Sequence, residues 1–417
     1  MTASESESES PGGLFQGWIV VGATTVVMTT AYGAQFSFGV FLPYIEADTG
    51  WDRELISRAF AIYICLYAFL SIVSGPLTDR LGPRPVIAAG GVLLGAGYWL
   101  LGRVDAQWEL FAVLAVVLAA GMSAAFVPCS ATVVRWFVRQ RGRAVGITTA
   151  GASLGNMLAP PLAATLITAV GWRESFGWIG LGVAVTIVLA SVLTVRDPAD
   201  RGLLPDGDTK ADLVAEQAIN GGGQIWTLAD ARRTRAFWIL TAILFLTWLV
   251  VFLPAVHLAS FAIDMGMSAM SAAWVLSAIG VGGIIGRPLV GAVSDRVGRL
   301  PALGFVLAAQ VFVFALLPAT DSWWMLCLEA FGFGFGYGGT TTLFPAIVGD
   351  YYGRESVGAI VGFVFAIAGS SAAFGPWLAA YLYTQSGNYD MAFWIGAVMN
   401  GLALVLVLAL KRPEAHA

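Results

Sequence analysis

The sequence predicts an all-α membrane protein of twelve transmembrane helices in two pseudo-symmetric six-helix bundles. Three observations carry that expectation: scarce charge, long apolar runs and an internal repeat. Of 417 residues, 58% are hydrophobic and only 12% charged, with a net charge of -4. A soluble domain carries about 25% charged residues. A surface this poor in charge belongs in lipid, which excludes a soluble enzyme and a disordered chain. Lys210 and Lys411 are the only lysines. No basic patch could track phosphates, so no nucleic-acid partner is expected. Cys65, Cys129 and Cys327 each sit in an apolar run, which suggests neither a disulfide framework nor a metal site. No cofactor, metal or catalytic group is expected.

A span needs about 20 predominantly apolar residues to cross ~30 Å of hydrocarbon. Read between charge clusters, the candidates are 15–43, 54–78, 84–104, 108–134, 143–170 and 174–195, then 236–263, 268–292, 300–318, 322–349, 356–384 and 390–410. The first six are bounded in turn by Glu46, Asp79, Asp105, Arg135, Arg173 and Arg196; the second six by Asp264, Asp295, Asp321, Asp350, Asp390 and Lys411. A β-barrel would show alternating ten-residue segments. These runs are continuous, so they read as helices.

Two polar stretches frame the spans. Residues 1–13 alternate Ser and Glu over Ser4–Ser10 and carry no Lys or Arg. They read as a disordered acidic tail, not a secretory signal, which needs a basic start. Residues 196–235, with Pro198, Pro205 and Gly221–Gly223, read as a linker. The expected division is therefore 14–195 for one bundle, 236–411 for the other, and a short tail at 412–417.

Charge asymmetry orients the chain. With the N-terminus inside, the outer loops hold only Arg53, Arg58, Arg103 and Arg173, and Arg287 belongs to neither side. The rest of the 22 Lys and Arg fall on the inner side. Both termini and the linker are expected in the cytoplasm.

The halves match at a shift of 216 residues. Gly75, Asp79, Arg80, Gly82 and Pro85 map onto Gly291, Asp295, Arg296, Gly298 and Pro301. Gly142, Val145 and Gly146 map onto Gly358, Val361 and Gly362, and Gly171, Trp178 and Gly180 onto Gly387, Trp394 and Gly396. Apolar composition gives chance Leu and Ala matches; it does not give Gly, Pro, Asp, Arg and Trp at one offset. Six spans per repeat means parallel repeats about an axis along the membrane normal, with a site between them near the midplane.

The loop Gly75-Pro76-Leu77-Thr78-Asp79-Arg80-Leu81-Gly82-Pro83-Arg84, copied at Gly291–Arg299, resembles the signature loop of the major facilitator superfamily. The resemblance covers the whole chain and implies transport by alternating access. The loop suits an inner gate. Gly75 and Gly291 permit close approach, and Asp79 and Asp295 can accept hydrogen bonds at a neighbouring helix N-terminus. Arg80, Arg84, Arg296 and Arg299 can pair across the gate. A second stretch, Trp136-Phe137-Val138-Arg139-Gln140-Arg141-Gly142-Arg143, followed by Gly151-Ala152-Ser153-Leu154-Gly155, resembles the monocarboxylate transporters and their oxalate/formate relatives. Gly17-Trp18 adds to it, although Gln16 stands where animal members carry an acid.

Arg287 stands out in the apolar run 279–293. An Arg at the bilayer centre costs about 2.5–3.5 kcal/mol on insertion scales, so such residues face internal cavities. Its guanidinium can hold one carboxylate through two parallel hydrogen bonds. The resemblance agrees, since it implies a substrate-binding Arg in this span, followed by Pro as in Arg287-Pro288. Animal members also carry an Asp one turn earlier, where this chain has Gly283, so proton coupling must use another group. His257 and Asp264 lie seven residues apart on one helical face. The resemblance to bacterial members marks them for coupling, Asp264 partnering Arg287 in some state. Glu329 is a weaker alternative. Tyr32, Gln35, Phe126, Asn156 and Tyr337 are expected to face the cavity as substrate contacts. The oxalate/formate branch adds a Lys in span eleven; 356–384 has no Lys or Arg, so one carboxylate is expected.

The expected function is proton-coupled symport of small monocarboxylates, lactate or pyruvate in kind, across a bacterial inner membrane. The partners are the substrate, a proton and the bilayer, and one chain suffices to form the site. The alternatives are an oxalate/formate-type exchanger, an intramembrane hydrolase using Ser153, or a non-transporting receptor. Gly151–Gly155 matches the hydrolase elbow but lacks its strand–turn–helix setting. The G-x-G-x-x-G of Gly334–Gly339 lies inside a span without a βαβ unit.

Overall fold

The computed structural model describes residues 15–208, 226–372 and 374–413. The tail at 1–13, the middle of the linker and residues 414–417 lie outside the described residues. Among the described residues there are twelve long helices: α1 Gln16–Thr49, α2 Arg53–Leu81, α3 Pro83–Leu101, α4 Gln107–Trp136, α5 Arg141–Val170, α6 Trp172–Val192, α7 Arg235–Asp264, α8 Ala269–Val297, α9 Arg299–Leu316, α10 Trp323–Tyr352, α11 Val357–Ser386 and α12 Asp390–Ala409. Eleven are long and apolar enough to cross a membrane. The exception, α10, is diluted by Gly and Thr, but its 30 residues extend about 45 Å at 1.5 Å per residue. No strand occurs among the described residues.

Three helices are interrupted, each at the carbonyl four residues before a proline. Proline has no N–H to donate and crowds the carbonyl at i−4. In α4 the turn at Ala124 (φ -87, ψ 8) precedes Pro128. In α7 the break at Val250 (φ -109, ψ 0) precedes Pro254. In α11 the first segment stops at Ala372, before Pro376. Broken backbone is tolerated at membrane depth only where protein or a cavity satisfies it, and all three breaks are in helices that border the interior.

Helices α1 and α5 pack together, as do α8 and α10; α3 packs on α6, and α9 on α12. The halves meet along two seams, α2 with α11 and α5 with α8. The six-helix repeat exchanges one seam for the other. Glycine makes both seams possible. A Cβ on Gly75 would collide with the Gly358 carbonyl, and one on Gly291 with the Gly142 carbonyl. These are the glycines that the 216-residue shift pairs.

The linker's described start is pinned beneath the first bundle. The Asp206 carboxylate accepts the backbone N–H groups of Val138 and Arg139 at 2.7 and 2.9 Å. Arg139 forms an ion pair with Asp208.

Candidate functional site

A cavity of about 1030 Å³, counting its open mouth, lies between the halves. Its walls come from α1, α2, α4 and α5 and from their counterparts α7, α8, α10 and α11. None of the described lining residues belongs to the peripheral helices α3, α6, α9 and α12. Arg287 lines it, 4% exposed. The side chain lies ten residues from the C-terminal end of α8, about 15 Å along the helix axis.

The guanidinium is held but not neutralised. Nη1 donates to the Ser153 hydroxyl of α5 and, at 3.4 Å, to the Gly283 carbonyl. The group stands 5.2 Å from the Tyr337 ring centroid, within cation–π range. Nε is buried without a partner. Among the described residues no carboxylate pairs with Arg287. An unsatisfied buried donor costs roughly 1–3 kcal/mol, more when charged.

Local sequence explains how Arg287 is aimed. A Cβ on Gly146 would strike the Arg287 carbonyl and Pro288. Gly142 and Gly146 thus let α5 lie against α8, bringing Ser153 to the guanidinium. Gly151 and Gly155, on another face of α5, meet the backbone of α1 near Thr25 and Thr29. The small residues that match the hydrolase elbow are helix-packing contacts. Ser153 lies within continuous α5, bonded to an arginine.

All six residues expected to contact substrate line this cavity: Arg287, Tyr32, Gln35, Phe126, Asn156 and Tyr337. Gln35 is buried and accepts a 3.4 Å hydrogen bond from Tyr63. Asn156 is solvent-exposed. The structure adds Tyr67, Trp248 and Phe365, which sequence reading missed because aromatics in spans usually pack against lipid or protein. Trp248 is buried, and its indole N–H has no partner.

His257 and Asp264 do not line the cavity and do not meet Arg287. His257 Nε2 lies 2.9 Å from the Pro376 carbonyl and Nδ1 lies 3.3 Å from the Tyr389 hydroxyl. A carbonyl only accepts, so Nε2 carries a proton. Asp264 is exposed at the end of α7, beside Tyr383. Burial and the neighbouring Asp264 carboxylate push the Tyr389 hydroxyl above its ordinary pKa. Glu329 is buried, accepts a 2.6 Å bond from Thr320, and lies outside the cavity.

Toward the side that carries most Lys and Arg, the halves are latched. The Asp79 carboxylate accepts the Gly358 and Ala359 N–H groups at the start of α11, at 3.1 and 2.7 Å. Its repeat partner Asp295 accepts those of Gly142 and Arg143 at the start of α5, both at 2.8 Å. Asp79 also pairs with Arg135 at 2.8 Å, and Arg135 reaches the Glu355 carbonyl. Arg299 pairs with Asp295 and, at 2.8 Å, with Asp350. Asp350 in turn pairs with Arg141 across the seam. Of the motif arginines, Arg80 and Arg296 are exposed, Arg84 donates to the Thr194 carbonyl at 2.8 Å, and Arg299 stays within its own half. At this end of the molecule the arginines that cross are Arg135, Arg141 and Arg354. Their partners lie more than 200 residues away, beyond the reach of any local pattern.

Comparisons with known proteins agree with this geometry. Residues 24–322 and 274–417 match the family model described as Major Facilitator Superfamily. An oxalate:formate antiporter of Oxalobacter formigenes is 28% identical over 408 residues, covering 95% of this chain and 92% of the relative. Monocarboxylate transporter 13 of Bos taurus is 27% identical, covering 96% and 90%. The solved structure of the proton:xylose symporter XylE, bound to 6-bromo-6-deoxy-D-glucose, superposes with a TM-score of 0.74 at 12% identity, over 95% of this chain and 96% of that one. That likeness speaks for the fold.

Proposed function

The chain belongs to the Major Facilitator Superfamily, and from that premise we propose that it is a proton-coupled symporter of monocarboxylates, small 2-hydroxy and 2-keto acids such as lactate and pyruvate among them. The observation that carries the reading is the single unneutralised cation of the cavity. Arg287 keeps a buried donor free and has no carboxylate partner. A substrate carboxylate satisfies that donor through the parallel fork. Tyr32, Gln35, Asn156 and Tyr337 can hydrogen-bond the oxygens, and Phe126 walls the apolar end.

Charge balance favours a proton as the partner. An anion entering against a negative-inside potential costs about 2.3 kcal/mol per 100 mV. One proton cancels that charge, and each unit of pH gradient then drives accumulation by ~1.4 kcal/mol. Asp264 and His257 remain the coupling residues in this reading. Both lie on the outer half of α7, and Tyr383 and Tyr389, ring centroids 4.5 Å apart, connect them. Rocking of α7 would carry Asp264 toward the cavity.

The basic side is cytoplasmic, as are both termini, in a bacterial inner membrane, and one chain works alone because one chain completes the site. The latch around Asp79 and Asp295 then closes the cytoplasmic gate, with Arg80, Arg84, Arg296 and Arg299 around it. Similarity to the oxalate:formate antiporter favours a second reading, anion exchange. Uptake of labelled lactate into proteoliposomes separates them. Accumulation driven by an imposed inside-alkaline gradient supports symport. Counterflow indifferent to pH supports exchange, and no flux of any short monocarboxylate refutes both.

A further inference from the structure

We propose that the monocarboxylate this cavity selects carries an aromatic ring, in the manner of an aryl-substituted lactate or pyruvate. The inference rests on the carboxylate binding at Arg287 and narrows it. Four rings from four helices line the cavity as one connected wall: Tyr67 of α2, Phe126 of α4, Trp248 of α7 and Phe365 of α11. Phe126 stacks on Phe365 with centroids 4.9 Å apart and planes at 26°. Trp248 meets Phe365 edge-on at 5.2 Å, and Tyr67 lies 6.1 Å from it. The wall joins both halves.

In a membrane helix an aromatic ring can be buried against lipid. These four rings are instead buried between the halves, and an apolar ligand best covers the surface they leave to the cavity. A ligand's ring would be the fifth, adding offset or edge-on contacts at 4.5–7 Å. The polar lining is meagre. Ser153 is engaged with Arg287, Thr149 with Thr342 at 3.0 Å, and Gln35 with Tyr63. Once Arg287 holds the carboxylate, no second cation in the described lining remains for a second charge.

The test is quenching of intrinsic tryptophan fluorescence by 3-phenyllactate and by lactate on the purified full chain, with competition for uptake in proteoliposomes. Phenyllactate should bind at least tenfold tighter than lactate and inhibit lactate uptake in the same proportion. Phe126→Leu or Phe365→Leu keeps apolar volume and loses the ring; either should collapse that ratio at least fivefold. If lactate binds and moves while phenyllactate binds no better, the aryl preference is wrong and the carboxylate site stands. If neither acid binds or moves, the preference and the proposed function fall together.

Discussion

The guanidinium of Arg287 donates to the hydroxyl of Ser153 across the seam between the halves. The two residues come from α8 and α5, which are held together by Gly142, Gly146 and Gly291. The group that would bind substrate is therefore also a bridge between the parts that must move. A carboxylate arriving at Arg287 competes for the same donors, so binding and rocking share one set of hydrogen bonds.

Ser153→Ala removes the bridge and leaves the cavity's cation in place. A hydrogen bond to a charged group contributes about 1.5–3 kcal/mol. Substrate affinity should change less than tenfold while the balance shifts away from this latched arrangement. Flux and cysteine labelling from each side measure the two effects. Abolished flux with unaltered labelling would make Ser153 a substrate ligand instead.

Asp79→Ala and Asp295→Ala each uncap the helix across a seam. Loss of such a cap costs about 0.5–2 kcal/mol, a two- to thirtyfold shift in a two-state balance. Spin-label distances between the basic ends of α2 and α11, and of α8 and α5, should lengthen in a larger fraction of molecules. Unchanged distance distributions in both variants would remove these carboxylates from the latch.

Gly146→Val places a branched side chain against the Arg287 carbonyl and Pro288. No flexible side chain is there to give way, so the α5–α8 seam must open. Transport should fall at least tenfold, with a lowered melting temperature. Wild-type flux in this variant would mean that the seam is not needed closed.

Asp264→Asn should retain substrate counterflow and lose accumulation driven by a pH gradient. The same substitution removes the carboxylate that raises the Tyr389 pKa, so the phenol should titrate at lower pH, visible in its ultraviolet absorbance. Undiminished accumulation moves coupling to another group; Glu329→Gln is then the next variant.

Much of this was legible in the sequence, for identifiable reasons. The twelve helices follow from uninterrupted apolar runs, and the two seams from glycines paired by the repeat. Arg287 was legible because a charge at membrane depth needs a reason. The other five expected contacts line the cavity because polar and proline-adjacent positions in α1, α4, α5 and α10 had little cause to face lipid. Trp248, Phe365 and Tyr67 were hidden, since a ring's direction depends on helix rotation rather than on sequence. Asp350 with Arg141 was hidden because the pair spans 209 residues. His257 shows the limit of spacing. It shares a face with Asp264, but the break in α11 leaves the Pro376 carbonyl beside it, and tertiary structure decides its bond.

The most direct measurement is calorimetric titration of a monocarboxylate into the purified chain and into Arg287→Lys and Arg287→Gln. Lysine keeps the charge and loses the fork; glutamine loses both. Affinity should fall at least tenfold in Arg287→Lys and vanish in Arg287→Gln, with the melting temperature of the free protein maintained. Binding within twofold of wild type in Arg287→Gln would contradict the assignment of Arg287 as the carboxylate anchor.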